Sequence, residues 1–232
     1  MGVNVRRILL ILIFFTTTYS ICNAQTKLRD LNLDDFRELH RVCDRNEIAK
    51  YDLNPNDVIV DIGFGKYASL LKHLVLYYDS LIIYAEEIDS YYIDSAHKYI
   101  GKYLKHRIAP NTNTLKLVIG TKTNTNLPSA TFDKVILRNT FHHMSKQAEM
   151  LQDIHRIMKL EGKLYVSQDR FGNKMDIKGR GLVKQEDYIA YMSQQNFNLA
   201  NKYNFKEYYV IKKKGKVKLK KTKTYLYIFT KG

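Results

Sequence analysis

A glycine turn after a buried strand pattern is the first feature of this sequence that could do chemistry. The run Val58-Ile59-Val60 leads to Asp61, and Gly63 and Gly65 follow before a helical pattern begins. Glycine lets the backbone approach a bound molecule closely, as in the βα units that bind nucleotides. About twenty residues further on, a second strand pattern ends at Glu86-Glu87, where a carboxylate can accept hydrogen bonds from ribose hydroxyls. The spacing predicts a site for an adenosine-containing cofactor.

Two adjacent histidines are the second candidate for chemistry. His142 and His143 follow a later strand pattern. An imidazole titrates near neutral pH, so either ring could remove a proton from an oxygen or nitrogen nucleophile. One packed and one solvated histidine is the alternative, and the sequence leaves both open. The remaining histidines are dispersed without the spacing of a metal site, and no metal site is predicted: His40, His73, His97, His106 and His155.

Alternating strand and helix patterns predict the elements that position these residues. Strands are predicted at 57–62, 80–86, 114–119, 132–137 and 163–168, and helices at 34–50, 66–77, 90–106, 145–159 and 184–195. Ser145 is placed to cap the fourth helix and Gly162 to stop it. Long patterns at 202–213 and 224–230 predict a terminal hairpin. We therefore expect an α/β fold, a doubly wound, mostly parallel seven-stranded sheet with an antiparallel C-terminal hairpin.

The first 24 residues are typical of an export leader. An apolar run from Ile8 to Phe15 follows two arginines, and Cys22-Asn23-Ala24 offers small residues for cleavage before Gln25. The run is shorter than the ~20 residues that span a bilayer, which favours cleavage over anchoring by an uncleaved leader. We therefore expect residues 1–24 to be a signal peptide and the protein to be exported, to the periplasm or outside the cell.

Residues 25–232 have a length that suits one α/β domain with a sizeable core. Cys43 is the only cysteine of this segment, so no internal disulfide is expected, and the thiol is interpreted as a small buried hydrophobe. The sequence does not indicate an oligomeric state.

Much of the net charge of +15 lies in one segment, where eight lysines fall between Lys212 and Lys223. Such a run can contact anionic lipid or nucleic acid, or it can be a solvated hairpin whose lysines prevent edge-to-edge aggregation. Arginine, the usual residue for bidentate phosphate contacts, is almost absent from it. We therefore favour the solvated hairpin, expect no nucleic-acid partner, and keep transient contact with a membrane surface as the alternative.

The order and spacing of the motifs resemble the class I S-adenosylmethionine-dependent methyltransferases. The stretch from Asp61 to Tyr67 matches the family's acidic residue and glycine motif, and Tyr84 to Asp89 matches its second, acidic motif. Phe132 to Met144 looks like the family's fourth-strand block, with His142 and His143 beside the methyl-transfer position as the catalytic residues. The resemblance implies a Rossmann-like methyltransferase fold and S-adenosylmethionine as the cofactor. It also implies a set of cofactor-binding residues: Asp61, Gly63, Gly65, Glu87, Thr121 and Asn139.

Two positions depart from the family's pattern. Tyr67 replaces the third glycine, and Gly120-Thr121 stands where related enzymes often carry an acid that contacts adenine. The Tyr67 ring could point away from the cofactor, help to close its pocket, or fill part of it. Asp61 and Glu87 also have simpler interpretations, as a cap at the turn and as a solvated acid at a strand end.

Two other functions stay open at this point. Gly63-x-Gly65-x-x-Ala68 also fits the dinucleotide pattern of NAD-dependent oxidoreductases. An exported binding protein could keep the fold and lack the chemistry. The hairpin and the block from Asn139 to Met144 favour methyl transfer from S-adenosylmethionine to an unidentified acceptor.

The sequence does not identify that acceptor. The N-terminal helix and the polar loop 169–181 are expected to cover its pocket. Four basic residues of this loop favour an anionic acceptor, although a solvated loop explains the same charges: Arg170, Lys174, Lys178 and Arg180.

Overall fold

A seven-stranded sheet runs through the part of the chain that the computed structural model describes. This part comprises residues 45–105, 107, 110–168, 174–213 and 216–232, with the backbone alone for 45–46, 206–213 and 216–222. Several predictions concern residues outside it or only partly within it: the leader at 1–24, most of the helix at 34–50, His40, Cys43, His106, Arg170, and the lysine side chains from Lys212 to Lys221.

The strand order confirms the predicted α/β sheet. Five parallel strands are followed by an antiparallel pair: β1 Val58–Ile62, β2 Ile82–Glu87, β3 Thr114–Ile119, β4 Phe132–Arg138, β5 Met158–Gln168, β8 Phe197–Lys213 and β9 Lys216–Lys231. The spatial order is β3-β2-β1-β4-β5-β9-β8, and β9 pairs antiparallel with both β5 and β8. The C-terminal hairpin is therefore an integral edge of the sheet.

The described helices cover both faces of the sheet. They are α1 Arg45–Ala49, α2 Ser69–Tyr77, α3 Ser90–Leu104, α4 Gln147–Ile157 and α5 Gln185–Gln194. In β1, Ile59 packs with α2 and α3, whereas Val60 packs with α4 and α5, because successive strand residues point to opposite faces. The central strands β1 and β4 are thus buried on both faces, whereas β3 at the edge of the sheet has no buried residue. The carboxyl ends of the parallel strands lie together at one end of the sheet. No helix among the described residues is long and apolar enough to cross a membrane.

The predicted cap and stop of α4 are wrong. The helix begins at Gln147 after Lys146, whose side chain makes no capping hydrogen bond, so Ser145 is not the cap. It ends at Ile157, five residues before Gly162, which lies within β5. A Cβ atom at Gly162 would lie 2.8 Å from the Phe132 carbonyl oxygen, so glycine here permits close strand packing rather than stopping a helix.

The predicted loop at 169–181 is in part a small hairpin. Strand β6, Met175–Ile177, pairs antiparallel with β7, Gly181–Val183. Met175 and Ile177 are buried in the same apolar cluster as α4 and α5. The alternation Met-Asp-Ile before two glycines was the signal for this hairpin in the sequence.

Candidate functional site

The glycine turn lies at the carboxyl end of β1, between β2 and β4. The Gly63 amide donates to the Glu86 carbonyl oxygen over 2.8 Å, which continues the pairing of β1 with β2. Gly63 and Gly65 both have left-handed backbones, with φ of 67° and 64°. A Cβ atom at Gly63 would lie 2.3 Å from the Thr140 methyl carbon, whereas one at Gly65 would meet no described atom within 4 Å. The protein itself packs against Gly63, and open space is left beside Gly65.

Thr140 ties the end of β4 to this turn, a role that the sequence did not reveal. Its hydroxyl lies 2.9 Å from the Gly63 carbonyl oxygen and 3.1 Å from that of Arg138. The two strand ends are thereby held at a fixed separation. A β-branched side chain suits this position because its rotamer is restricted.

Glu87 lies at the end of β2 with both oxygens directed at backbone amides. Its Oε2 atom accepts from the Gly65 amide at 3.0 Å, and Oε1 accepts from the Ile88 amide at 2.8 Å. A carboxylate offers about four acceptor positions, so two remain for the hydroxyls of a ribose. The structure therefore places Glu87 against the glycine turn rather than in solvent at a strand end.

Asp61 is buried among charged groups from three other elements. Burial is the main reason that its pKa rises to about 7, and Glu87 and Glu47 raise it further while Arg138 lowers it. Glu47 of α1 is fully buried, accepts from the Tyr51 hydroxyl at 2.7 Å, and pairs with Arg138 Nε at 3.3 Å. The carboxyl groups that surround Asp61 outnumber the guanidinium, so the site favours a cationic ligand.

Glu86 is a second buried acid, on the face of the sheet opposite to Glu87. Its Oε1 atom lies 1.7 Å from the position that a Cβ atom of Gly120 would take, so the carboxyl fills the space above that glycine. Within the described residues Oε1 has no hydrogen-bond partner. Burial, and then the charge of Glu87, raise the pKa of Glu86 to about 8. At neutral pH this group is protonated.

The two other residues expected at the cofactor differ in their placement. Asn139, with φ of 56°, follows β4 directly beside Thr140, and its amide donates to the Ser167 carbonyl oxygen at 2.8 Å. Thr121 is exposed, and its hydroxyl accepts hydrogen bonds within its own loop, from the amides of residues 123 and 124 at 3.3 and 3.0 Å. Asn139 thus lies beside the glycine turn at the carboxyl end of β4, whereas Thr121 stabilises a turn within its own loop.

The histidines form a short 3₁₀ helix, Phe141–His143, shortly after the carboxyl end of β4. Their ring centroids are 4.0 Å apart; His142 is buried and His143 is exposed. Of the two, His143 is accessible to a bound molecule. In the described part of the chain, no group of three or more His, Cys, Asp or Glu residues is arranged to hold a metal ion.

Tyr67 lies in the turn before α2 with 43% of its side chain exposed. The Lys66 ammonium lies 5.7 Å from the ring centroid. The ring is therefore not packed into the sheet, and it either lies at the pocket or points away from it into solvent.

Comparison with known proteins agrees with this geometry. Residues 60–166 match the family described as "Methyltransferase domain". Among solved structures, an S-adenosylmethionine-dependent methyltransferase from Aquifex aeolicus is similar at 16% identity, with a TM-score of 0.59 over 86% of this chain and 95% of that one. A second one, from Methanosarcina mazei, is similar at 11% identity, with a TM-score of 0.57 over 82% of this chain and 98% of that one.

A third similar structure is described as precorrin 8W decarboxylase, from Methanobacterium thermoautotrophicum, with 12% identity, a TM-score of 0.54, and coverage of 88% and 94%. Identities this low show a shared fold and nothing more specific. No protein of curated function matches the sequence significantly.

Proposed function

We propose that residues 60–166, which match the family described as a methyltransferase domain, bind S-adenosylmethionine at the carboxyl ends of the strands and transfer its methyl group there. The cofactor lies along the Gly63–Gly65 turn, with Glu87 at its ribose and Asp61 near its charged methionyl part. The acceptor approaches from the side of Asn139 and His143. The observation that carries the proposal is the turn itself, closed by Thr140 on one side and open beside Gly65 on the other.

The described residues fit an S-adenosylmethionine molecule. The space beside Gly65 admits a ligand, and Glu87 keeps acceptor positions for two hydroxyls. The acids around Asp61 suit a ligand with an ammonium and a sulfonium group. The unpaired oxygen of Glu86 is fully buried, so it would not contact the ligand.

When bound, the cofactor supplies a methyl group already activated on sulfur. The protein must therefore align the acceptor with the sulfur–carbon bond and exclude water. The nucleophilic atom of the acceptor would form the new bond to the methyl carbon, and the electron pair of the broken sulfur–carbon bond would stay on sulfur. His143 would accept the proton that an oxygen or nitrogen nucleophile loses, and would pass it to water. Buried His142 would support the ring of His143 at 4.0 Å.

Calorimetry with S-adenosylmethionine, S-adenosylhomocysteine and NAD tests the cofactor assignment. Both adenosyl compounds should bind, and Gly65→Ala, whose Cβ atom enters the open space beside the turn, should weaken binding of both, with circular dichroism to show that the variant still folds despite its left-handed strain. Binding of NAD without either adenosyl compound would instead support an oxidoreductase and overturn the proposal.

A binding protein without turnover is the second candidate, because Tyr67 stands exposed where the family has glycine. The discriminating measurement is the fate of the methyl group. Incubation of the wild-type protein with radiolabelled cofactor and a lysate of its host should label an acceptor, and His143→Ala should reduce labelling without changing cofactor affinity. Tight binding with no labelled acceptor would favour the binding protein.

Export is a separate proposal that rests on the leader at residues 1–24. Intact mass of the protein recovered from its host should correspond to a chain that begins at Gln25. A chain that begins at Met1 would contradict export.

The lysines between Lys212 and Lys223 support a further proposal, a transient contact with anionic membrane surfaces after export. Sedimentation with phosphatidylglycerol vesicles should carry the protein down at low salt and not at high salt. No sedimentation at low salt would favour a hairpin that is merely solvated.

A further inference from the structure

Gln147 joins three segments of the chain through one buried amide group. Its Nε2 atom donates to the carbonyl oxygens of Phe141 and Asp176, each at 2.9 Å. Its Oε1 atom accepts from the Lys178 amide, also at 2.9 Å. The side chain is 3% exposed, and its donors and acceptor are all used. Such full satisfaction in a buried place fixes the relative position of the partners.

The partners are the histidine turn and the β6–β7 hairpin. Phe141 begins the 3₁₀ helix that carries the histidines, whereas Asp176 and Lys178 belong to β6 and to the turn that follows it. Met175 and Ile177 pack in the same apolar cluster as Phe141, so the hairpin lies against the histidine turn on its apolar side as well. Gln147 therefore determines where the hairpin turn stands relative to His143.

That hairpin turn is exposed and basic. Lys178, Gly179 and Arg180 are all exposed. Both glycines around Arg180 have left-handed backbones, and a Cβ atom added to either would meet no described atom within 4 Å. The Lys178 ammonium lies 3.4 Å from Asp176 Oδ2, which leaves its other N–H groups available. The Arg180 guanidinium lies 5.4 Å from the centroid of the Tyr191 ring, which orients it without neutralising its charge.

We propose that the β6–β7 hairpin recognises an anionic group, a carboxylate or a phosphate, on a small acceptor, and that Gln147 is the positioning residue that holds it at the histidine turn. Lys178 and Arg180 bind the anionic group, and the atom to be methylated then lies on the side of His143. The inference rests on the proposed function, because it assigns the acceptor side of the same site.

The test titrates the protein, saturated with S-adenosylhomocysteine, with three aromatic probes: benzoate, phenyl phosphate and neutral benzamide. At least one anion should bind, and benzamide should not. Lys178→Gln/Arg180→Gln should weaken anion binding by about tenfold or more, as expected for loss of charge-assisted hydrogen bonds. The matched control Lys98→Gln/Lys163→Gln removes two exposed charges from α3 and β5, outside the hairpin, and should leave binding unchanged. Preference for benzoate or phenyl phosphate identifies the anionic group.

The role of Gln147 needs a readout that simple destabilisation does not change. The ring NMR signals of His143 should shift when the preferred anion binds to the wild-type protein. In Gln147→Met, which keeps the length but makes no hydrogen bonds, the anion should no longer shift them. Asp153→Asn is the control for stability, because Asp153 accepts two bonds from Thr125 away from the hairpin, and this variant should keep the shift.

Failure of this inference is distinct from failure of the proposed function. If S-adenosylhomocysteine does not bind, the proposed function is wrong. If it binds but neither anion does, or both double variants lose binding equally, the hairpin does not recognise the acceptor. An unchanged His143 shift in Gln147→Met would overturn the positioning role alone.

Discussion

Cofactor affinity should rise with pH through the range in which Asp61 loses its proton. Burial raises the pKa of Asp61 to about 7, Glu87 and Glu47 add to this effect, and Arg138 opposes it. A ligand with positive charge favours the ionised carboxylate, so binding and deprotonation of Asp61 are linked. Below pH 7 a ligand must first displace the proton, and above pH 7 it need not.

The size of the effect follows from the fraction of ionised Asp61. With a pKa of about 7, this fraction is roughly one-tenth at pH 6 and nine-tenths at pH 8, so the association constant should rise about tenfold, or ~1.4 kcal/mol. At pH 6, binding should release about 0.9 proton, which is the fraction of protonated Asp61. In Asp61→Asn both effects of this residue should disappear.

Calorimetry at pH 6, 7 and 8, in two buffers of different ionisation enthalpy, measures the affinity and the released protons together. The amino group of the ligand also titrates, at about 7.7–8.0, so the decisive quantity is the ratio of wild-type to Asp61→Asn affinity at each pH. S-adenosylhomocysteine, which lacks the sulfonium charge, should show a smaller rise. A ratio that stays constant from pH 6 to pH 8 would refute the assignment of Asp61 to the cationic part of the cofactor.

Three further predictions concern the glycine turn, Tyr67 and Glu86. Gly63→Ala should lower the free energy of unfolding by more than Gly65→Ala does. Both variants share ~1–3 kcal/mol of left-handed strain, and at Gly63 the clash with Thr140 adds to it. Equal decreases in the free energy of unfolding, measured by urea denaturation, would contradict this reasoning. Tyr67→Gly should weaken cofactor binding with little change in Tm, since the exposed ring can close the pocket without supporting the core; tighter binding would show that the ring fills part of the site. Glu86→Gln should match the wild type at pH 4 and become steadily more stable than it between about pH 4.5 and pH 8, with a constant difference of at most ~5 kcal/mol above that range. In this range the unfolded chain has lost the Glu86 proton while the folded protein still holds it, so the wild type loses stability as pH rises. A difference that does not vary with pH would contradict the raised pKa.

Signals that lie within one element were read correctly from the sequence. Strand β3 has the predicted bounds, β1 begins one residue later than predicted, and β2 begins two residues later and ends one residue later. Continuous apolar runs between turn residues specify the inner parallel strands strongly, because strands such as β1 and β4 are buried on both faces. The glycine turn was also recognisable, because its strand, its turn and the start of the next helix are contiguous in the chain.

Signals that depend on tertiary contacts were misread or missed. Ser145 has the right chemistry for a cap, but α4 begins two residues later, at Gln147, whose side-chain amide is bonded to Phe141 and to the hairpin. The bond between Thr140 and Gly63 joins residues 77 positions apart, and the pair of Glu47 and Arg138 joins residues 91 apart. No local pattern marks such partners, because the sheet topology alone brings them together.

Charge is distributed unevenly around the edge of this sheet, although the whole chain is strongly basic. Glu47, Asp61 and Glu87 gather where a cationic cofactor fits, and Lys178 and Arg180 stand on the hairpin held at the histidine turn. Methyl transfer removes the positive charge from sulfur, so the same carboxylates attract the product less than the substrate. Burial strengthens this difference, because charges out of water interact through a lower effective dielectric. If these acids bind the cofactor as proposed, they also favour release of its product. This effect requires that they remain ionised, which is the condition that the pH dependence of Asp61 measures.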